Sequence, residues 1–154
     1  ILQIDCSPSV AGYVADVASV IPVGEPSATS ALLMAASLDS YAAVANMLAP
    51  GVAAQELHET AVRALEDIGL SKAALYVSYN TNSTFVGHGI GLSNPDPPGM
   101  VTNDSQLVLT EGMVINVEPI IVIAGWGSAR NESAFVVEPG GARLLGDANS
   151  LALD

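Results

Sequence analysis

A histidine set among glycines, in Gly87-His88-Gly89-Ile90-Gly91-Leu92, constrains this chain more than any other feature. Glycine suits backbone that must turn sharply or pass close to other backbone, so the segment predicts a loop able to carry an imidazole against neighbouring elements. Two pairs of acids accompany it. Asp5 and Asp16 lie on either side of turn chemistry at Ser7-Pro8-Ser9, on stretches that read as extended, Ile1 to Asp5 and the Val-rich Tyr13 to Pro22. A turn centred between Val10 and Ala11 would set them opposite each other, with Cβ atoms roughly 5 Å apart. Glu118 and Glu132 are equidistant from Gly125 in Gly125-Trp126-Gly127, so strands from Gly112 to Ile123 and from Arg130 to Val137 pair them side by side. Facing like charges are destabilising unless cations neutralise them. One imidazole with four carboxylates suits Mn, Co, Fe or Zn, and two such ions together can polarise a carbonyl while making hydroxide from a shared water.

Two helices are predicted between these segments. The first runs from Ser27 to Leu48, with Ala31, Met34, Leu38, Tyr41, Ala45 and Leu48 at helical spacing, and Pro50-Gly51 ends it. The second runs from Ala53 to Ile68 with Leu57, Ala61, Leu65 and Ile68 on one face and Gly69 as its stop. His58 falls off that stripe between Glu56 and Glu59, which predicts a solvated side chain. Ala73 to Tyr79 reads as extended and Asn80 to Thr84 as loop. Ser93 to Gly99, with Pro95, Pro97 and Pro98, reads as a rigid irregular crossing.

With 154 residues, half of them apolar, the chain has the length of one domain, 1–154, and enough apolar surface for a real core. Its formal net charge of -12 sets sixteen acids against four cationic side chains, Arg63, Lys72, Arg130 and Arg143, which form no cluster. Nucleic-acid binding is excluded on that ground, because neutralising phosphates takes grouped Lys and Arg. Ser, Asp, Asn or Pro interrupts every apolar stretch before the roughly 20 residues of a membrane span, so a soluble protein, with the cytoplasm favoured, is the expectation. Cys6 is the single cysteine, which rules out an internal disulfide framework and suggests a packing role on its strand. Asn82, Asn103 and Asn131 each begin an Asn-x-Ser/Thr sequon.

These residues resemble the metallopeptidases of the pita-bread fold, a group that includes methionine aminopeptidase, aminopeptidase P and prolidase. The likeness runs in order along nearly the whole chain: Gly12-Tyr13 ahead of Asp16, Pro50-Gly51-Val52 between the helices, the glycine-flanked His88, Gly112-Met113-Val114 leading to Glu118-Pro119, and Arg130-Asn131-Glu132. It implies an α+β fold with an antiparallel-rich curved sheet and helices packed on its outer face. It also implies two divalent metal ions, with Asp5 on one, His88 and Glu118 on the other, and Asp16 and Glu132 bridging both. Glu118 would be the proton shuttle, and Arg130 would orient the site carboxylates. The implied activity is hydrolysis of an amino-terminal or X-Pro peptide bond through a metal-bridging water, with a peptide or small-molecule amide as substrate.

Four positions depart from the family pattern. Pro95 stands where a histidine seven residues after the ligand His is usual, and Thr84 where some members have one four residues before it. Those histidines help bind substrate and stabilise charge at the attacked carbonyl. Ser19 replaces a common Arg, and Ile120 replaces the Gly usual after Glu-Pro. The family domain also opens with helices and a strand ahead of the first Asp, so its amino-terminal part is missing here. An amino-terminal segment of the same protein or a homo-oligomer partner would complete it. Two further readings follow: a catalytically impaired relative acting as a binding module, and a hydrolase or lyase of a non-peptide small molecule.

Overall fold

The computed structural model describes residues 1–77 and 83–146. Strand β1 (Leu2–Cys6) pairs antiparallel with β4 (Val17–Ile21), and between them β2 (Ser9–Val10) and β3 (Tyr13–Val14) form the tip of the same hairpin. The reversal occurs at Ala11 and Gly12, both at positive φ, 52° and 86°. Two consecutive residues in that region match a hairpin turn whose twist suits the strands. The turn is thus centred one residue later than the sequence predicts. Asp5 pairs with Ala18 rather than with Asp16, but a shift of the turn centre by one residue moves the register by two and leaves every side chain on its original face.

Helix α1 (Ala28–Met47) follows, opened by Ser27, whose hydroxyl accepts from Ser30 N at 3.2 Å. Its buried face is Leu33, Ala36, Ser37, Ser40 and Val44, not the predicted stripe, and Leu38 is 55% exposed. The helix is apolar nearly all round, so periodicity could not choose a side. The packed side is the one whose small residues let the sheet come close, with Ser40 satisfied by the Ala36 carbonyl at 2.7 Å. By length and a mean hydropathy of 1.2, α1 is long and apolar enough to cross a membrane on composition alone, and here it packs against the sheet as a core helix. Helix α2 (Ala54–Asp67) buries Ala54, Leu57, Ala61 and Leu65 as its stripe predicts, and Gly69 at φ 81° ends it.

Lys72–Ala74 is a turn of 3-10 helix, so the predicted extended run begins only at Leu75, which bridges Ile121. The rest of that run beyond Val77 lies outside the described residues, as do most of the Asn80 to Thr84 loop and the tail after Gly146. Five antiparallel strands form the main sheet, in the order β11 (Gly141–Leu144), β10 (Ser133–Glu138), β7 (Val114–Val117), β5 (Phe85–Gly89) and β6 (Asp96–Thr102). Two predictions change here. The glycine-flanked histidine lies on β5, a fully buried strand, and the proline-rich crossing turns into strand at Asp96. Strands β8 (Ile121–Ile123) and β9 (Gly127–Ala129) continue the β7 and β10 pair to the turn at Gly125.

The helices cover one face of this sheet. Val44, Leu48, Leu57 and Ala61 pack on Val86, Val101, Ile115, Val117 and Val137, while Leu33, Ala36 and Leu65 pack on Val20, Ile121 and Ala129. Alternation along β7 then sends Asn116 to the other face from Ile115 and Val117, and Glu118 with it.

Candidate metal centre

One row of residues runs across the strands on the face away from the helices. Asp5 pairs with Ala18, and Ala18 forms a two-way backbone bridge with Glu132. The registers Val117↔Ser133 and Ile121↔Ala129, on either side, align Glu132 with Glu118 as counting from Gly125 predicts. Directly paired residues share a face, as do residues two apart on a strand. Asp16 joins the row through Ala18, Arg130 through Glu132, and Asn116 through Glu118. His88 pairs with Asn116 and so belongs to the same face.

Gly87 and Gly89 explain why a histidine can stand at the centre of so crowded a sheet. A Cβ on Gly87 would collide with the Asn116 carbonyl oxygen, and one on Gly89 with the backbone oxygens of Asp96 and Pro97. The glycines let β7 and β6 close in on β5, and they are strand residues for a packing reason rather than a loop reason.

His88 is buried, and its Nδ1 lies 3.0 Å from the Gly89 carbonyl oxygen. A carbonyl only accepts, so Nδ1 carries a proton, and loss of the proton on Nε2 would present that lone pair to a metal. Nε2 lies 3.6 Å from Glu118 Oε2, 3.7 Å from Glu132 Oε1 and 3.9 Å from Asp16 Oδ2. A metal–nitrogen bond of about 2.0 to 2.1 Å and a metal–oxygen bond of about 2.0 to 2.2 Å together span at most about 4.3 Å, so each pair is within reach of a shared ion. Ligand atoms of Asp16, His88 and Glu132 all fall within 4.8 Å of one another.

Asp5 stands apart from that group. It is more open, and Arg130 ties it to the cluster by bonding both Asp5 Oδ2 and Glu118 Oε1. Its Nε lies 4.0 Å from Glu132 Oε2. A single guanidinium is therefore shared among three carboxylates, two of them buried. Burial, then the charges of Glu132 and Asp16, push the Glu118 carboxyl up to about 9. For His88, burial disfavours the imidazolium, but hydrogen bonds to Glu132 and the Gly89 carbonyl, with the charges of Glu132 and Asp16, outweigh it and raise its pKa.

The donor set fits a cation. Glu132 Oε2 is buried without a hydrogen-bond partner, as are Arg130 Nε and Asn116 Oδ1. An anionic oxygen left so would cost several kcal/mol, on the order of the penalty for a broken buried pair. Two residues escaped the sequence reading. Asn116, fully buried, donates through Nδ2 to Glu132 Oε1 and sits 3.5 Å from His88 Nε2. Its place two residues before Glu118 was the available signal. Asn94 donates through Nδ2 to Asp16 Oδ2 at 2.5 Å, and no spacing announces it.

Two other positions, His58 and Cys6, differ from expectation. His58 is not solvated: its Nε2 lies 2.5 Å from Thr84 Oγ1, and burial lowers its pKa. Thr84 therefore turns toward α2, with Asn103 Oδ1 accepting from its hydroxyl at 3.2 Å. Cys6 is exposed rather than packed.

The profile of Metallopeptidase family M24 matches residues 1–139. An Xaa-Pro dipeptidase of Pyrococcus furiosus is 31% identical over 133 residues, which are 86% of this chain and 36% of that protein. The structure of prolidase from Pyrococcus furiosus superposes with a TM-score of 0.82 at 27% identity, covering 95% of this chain and 41% of that one. A methionine aminopeptidase from Thermotoga maritima shares the fold, with a TM-score of 0.73 at 20% identity over 92% of this chain and 61% of its own. The chain spans about a third of the length of the curated relatives it matches, 36% and 35% for two of them. With the antiparallel sheet, the helices on its outer face and the acid-lined row opposite, this chain belongs to metallopeptidase family M24 and has its pita-bread fold.

Proposed function

We propose that Asp5, Asp16, His88, Glu118 and Glu132 hold two divalent metal ions, of Mn, Co, Zn or Fe, and that the protein hydrolyses an amino-terminal or X-Pro peptide bond. The observation that carries this reading is the buried His88 Nε2 with three carboxylates inside 4 Å. Two divalent ions bring as many positive charges as the cluster has carboxylates, which supports a pair rather than one. When bound, such ions polarise a carbonyl and bring water to a pKa near 7.

The chain's own residues supply the rest. Glu118 is the proton carrier: bound cations pull its carboxyl down from about 9 toward the range where a group both accepts and returns a proton. Arg130 keeps Glu118 and Asp5 in place. The identities of the relatives support the peptide substrate, since the matched proteins include Xaa-Pro dipeptidases. Metal analysis of the purified protein, with a screen of X-Pro and Met-X peptides, tests the proposal. Bound metal with turnover of either class is the expected result, and a metal-free protein without turnover overturns it.

A second reading, a relative that keeps the centre but is impaired in catalysis and acts as a binding module, is favoured by two positions. Pro95 has no side-chain donor, and the Thr84 hydroxyl faces His58 rather than the cluster. It leads to bound metal without peptide turnover.

A further inference from the structure

Three uncharged side chains donate into the carboxylate cluster. Ser7 Oγ reaches Asp16 Oδ1 at 2.7 Å, Asn94 Nδ2 reaches Asp16 Oδ2 at 2.5 Å, and Asn116 serves Glu132. Asn116 is walled into the sheet, whereas Asn94 is exposed, on the segment between β5 and β6.

That segment is built around Asp96. Its Oδ2 accepts from Leu92 N at 2.8 Å and its Oδ1 from Ser93 Oγ at 3.0 Å. Gly91 lies so close that a Cβ there would sit 2.6 Å from Asp96 Oδ2. The Gly91 carbonyl accepts in turn from Val14 N at 2.8 Å, two residues before Asp16. The turn is thereby tied to the first hairpin by backbone and to Asp16 by one amide. Asp96 makes its own side-chain bonds inside the turn.

We propose that Asn94 is a positioning residue for Asp16, and that Asp96 acts on the metal centre only through it. A carboxylate free to rotate would lose entropy on meeting an ion. With Ser7 on one oxygen and Asn94 on the other, its plane is set beforehand, with Oδ2 3.9 Å from His88 Nε2. Hydrogen bonds of this kind, one shell out from the ion, commonly carry about 10- to 100-fold in metal affinity. The inference rests on the cation-binding part of the proposed function.

Cobalt(II) is the probe, because its visible absorption reports ligand geometry as well as binding. Titration of the metal-free protein should show Asn94→Ala binding cobalt about 10- to 100-fold more weakly than wild type, with a changed spectrum. Asn94→Gln, which keeps an amide, should recover part of both. Asp96→Ala should weaken binding in the wild-type background and add nothing to Asn94→Ala, the non-additivity of two residues acting through one contact. Circular dichroism establishes that each variant is folded. Should Asn94→Ala fail to fold, Asn94→Ser makes the same comparison with a donor too short to reach. Unchanged affinity and spectrum in the Asn94 variant overturns the proposal while leaving the metal centre standing. An undiminished effect of Asp96→Ala in the Asn94→Ala background does the same. Wild type that binds no cobalt overturns both.

Discussion

The carboxylates are each other's main burden. Glu132 is 1% exposed with one oxygen unpartnered, and Glu118 and Asp16 face it. Replacing Glu132 by Gln keeps the oxygen that accepts from Asn116 and removes one charge. The metal-free variant should therefore be at least as stable as wild type in urea, while metal affinity falls steeply. A large loss of apo stability would show that the charge is not the cost. The pH dependence follows from the same cluster. Glu118 titrates near 4.5 in the unfolded chain and about 9 in the native one, so the native state holds more protons between these values and stability falls as pH rises through that window. His88, raised as well, adds in the same direction, and His58, lowered by burial, opposes it. Denaturation of the metal-free protein between about pH 5 and about pH 9 should show this decline, and saturating metal should flatten it, because the ion replaces the proton. At this scale the charged residues were legible in the sequence, since an acid on an apolar strand is conspicuous. Asn94 and Asn116 were not, because Asn is common in turns and on surfaces and only its partner reveals its purpose.

The elements divide by how one-sided their sequences are. Helix α2 carries charges opposite its Leu57, Ala61 and Leu65 stripe, so its buried face could be read directly. Leu57→Ala there should cost about 2 to 5 kcal/mol by chemical denaturation, the range for a buried leucine in a packed core. Helix α1 offered no such contrast, and the packing of small residues against the sheet chose its face. The sequence of β5 points to a loop because glycines have low strand propensity. The reason they are there is the approach of β7 and β6, which no local rule contains. Gly89→Ala should consequently destabilise the fold by about 1 to 3 kcal/mol, as overpacking does, and should loosen metal binding by displacing His88. An alanine variant that melts and binds metal like wild type would refute the close-packing account.

For the molecule as a whole, sixteen acids against four basic side chains make the carboxylate cluster without metal and the surface repel alike. Metal at about 100 times its Kd should add roughly 2.7 kcal/mol, equivalent to a rise of roughly 5 to 10 °C in Tm for a chain of this size. Chelation should reverse it. A calorimetric scan without that shift would place the ions outside the folded centre.

The sequence by itself determined which donors exist and which face each strand shows, because side-chain alternation has a period of two and survives even a misplaced turn. Asp5 and Asp16 kept their face although their turn was set one residue early, and Glu118 met Glu132 because Gly125 fixes a simple count. Only the tertiary structure decided that the two hairpins join at the bridge between Ala18 and Glu132, that Arg130 holds Asp5 to Glu118, and that Asn94 reaches Asp16. Each of these contacts joins residues far apart along the chain. Such contacts depend on how whole elements pack, and pattern within a single element carries no information about them.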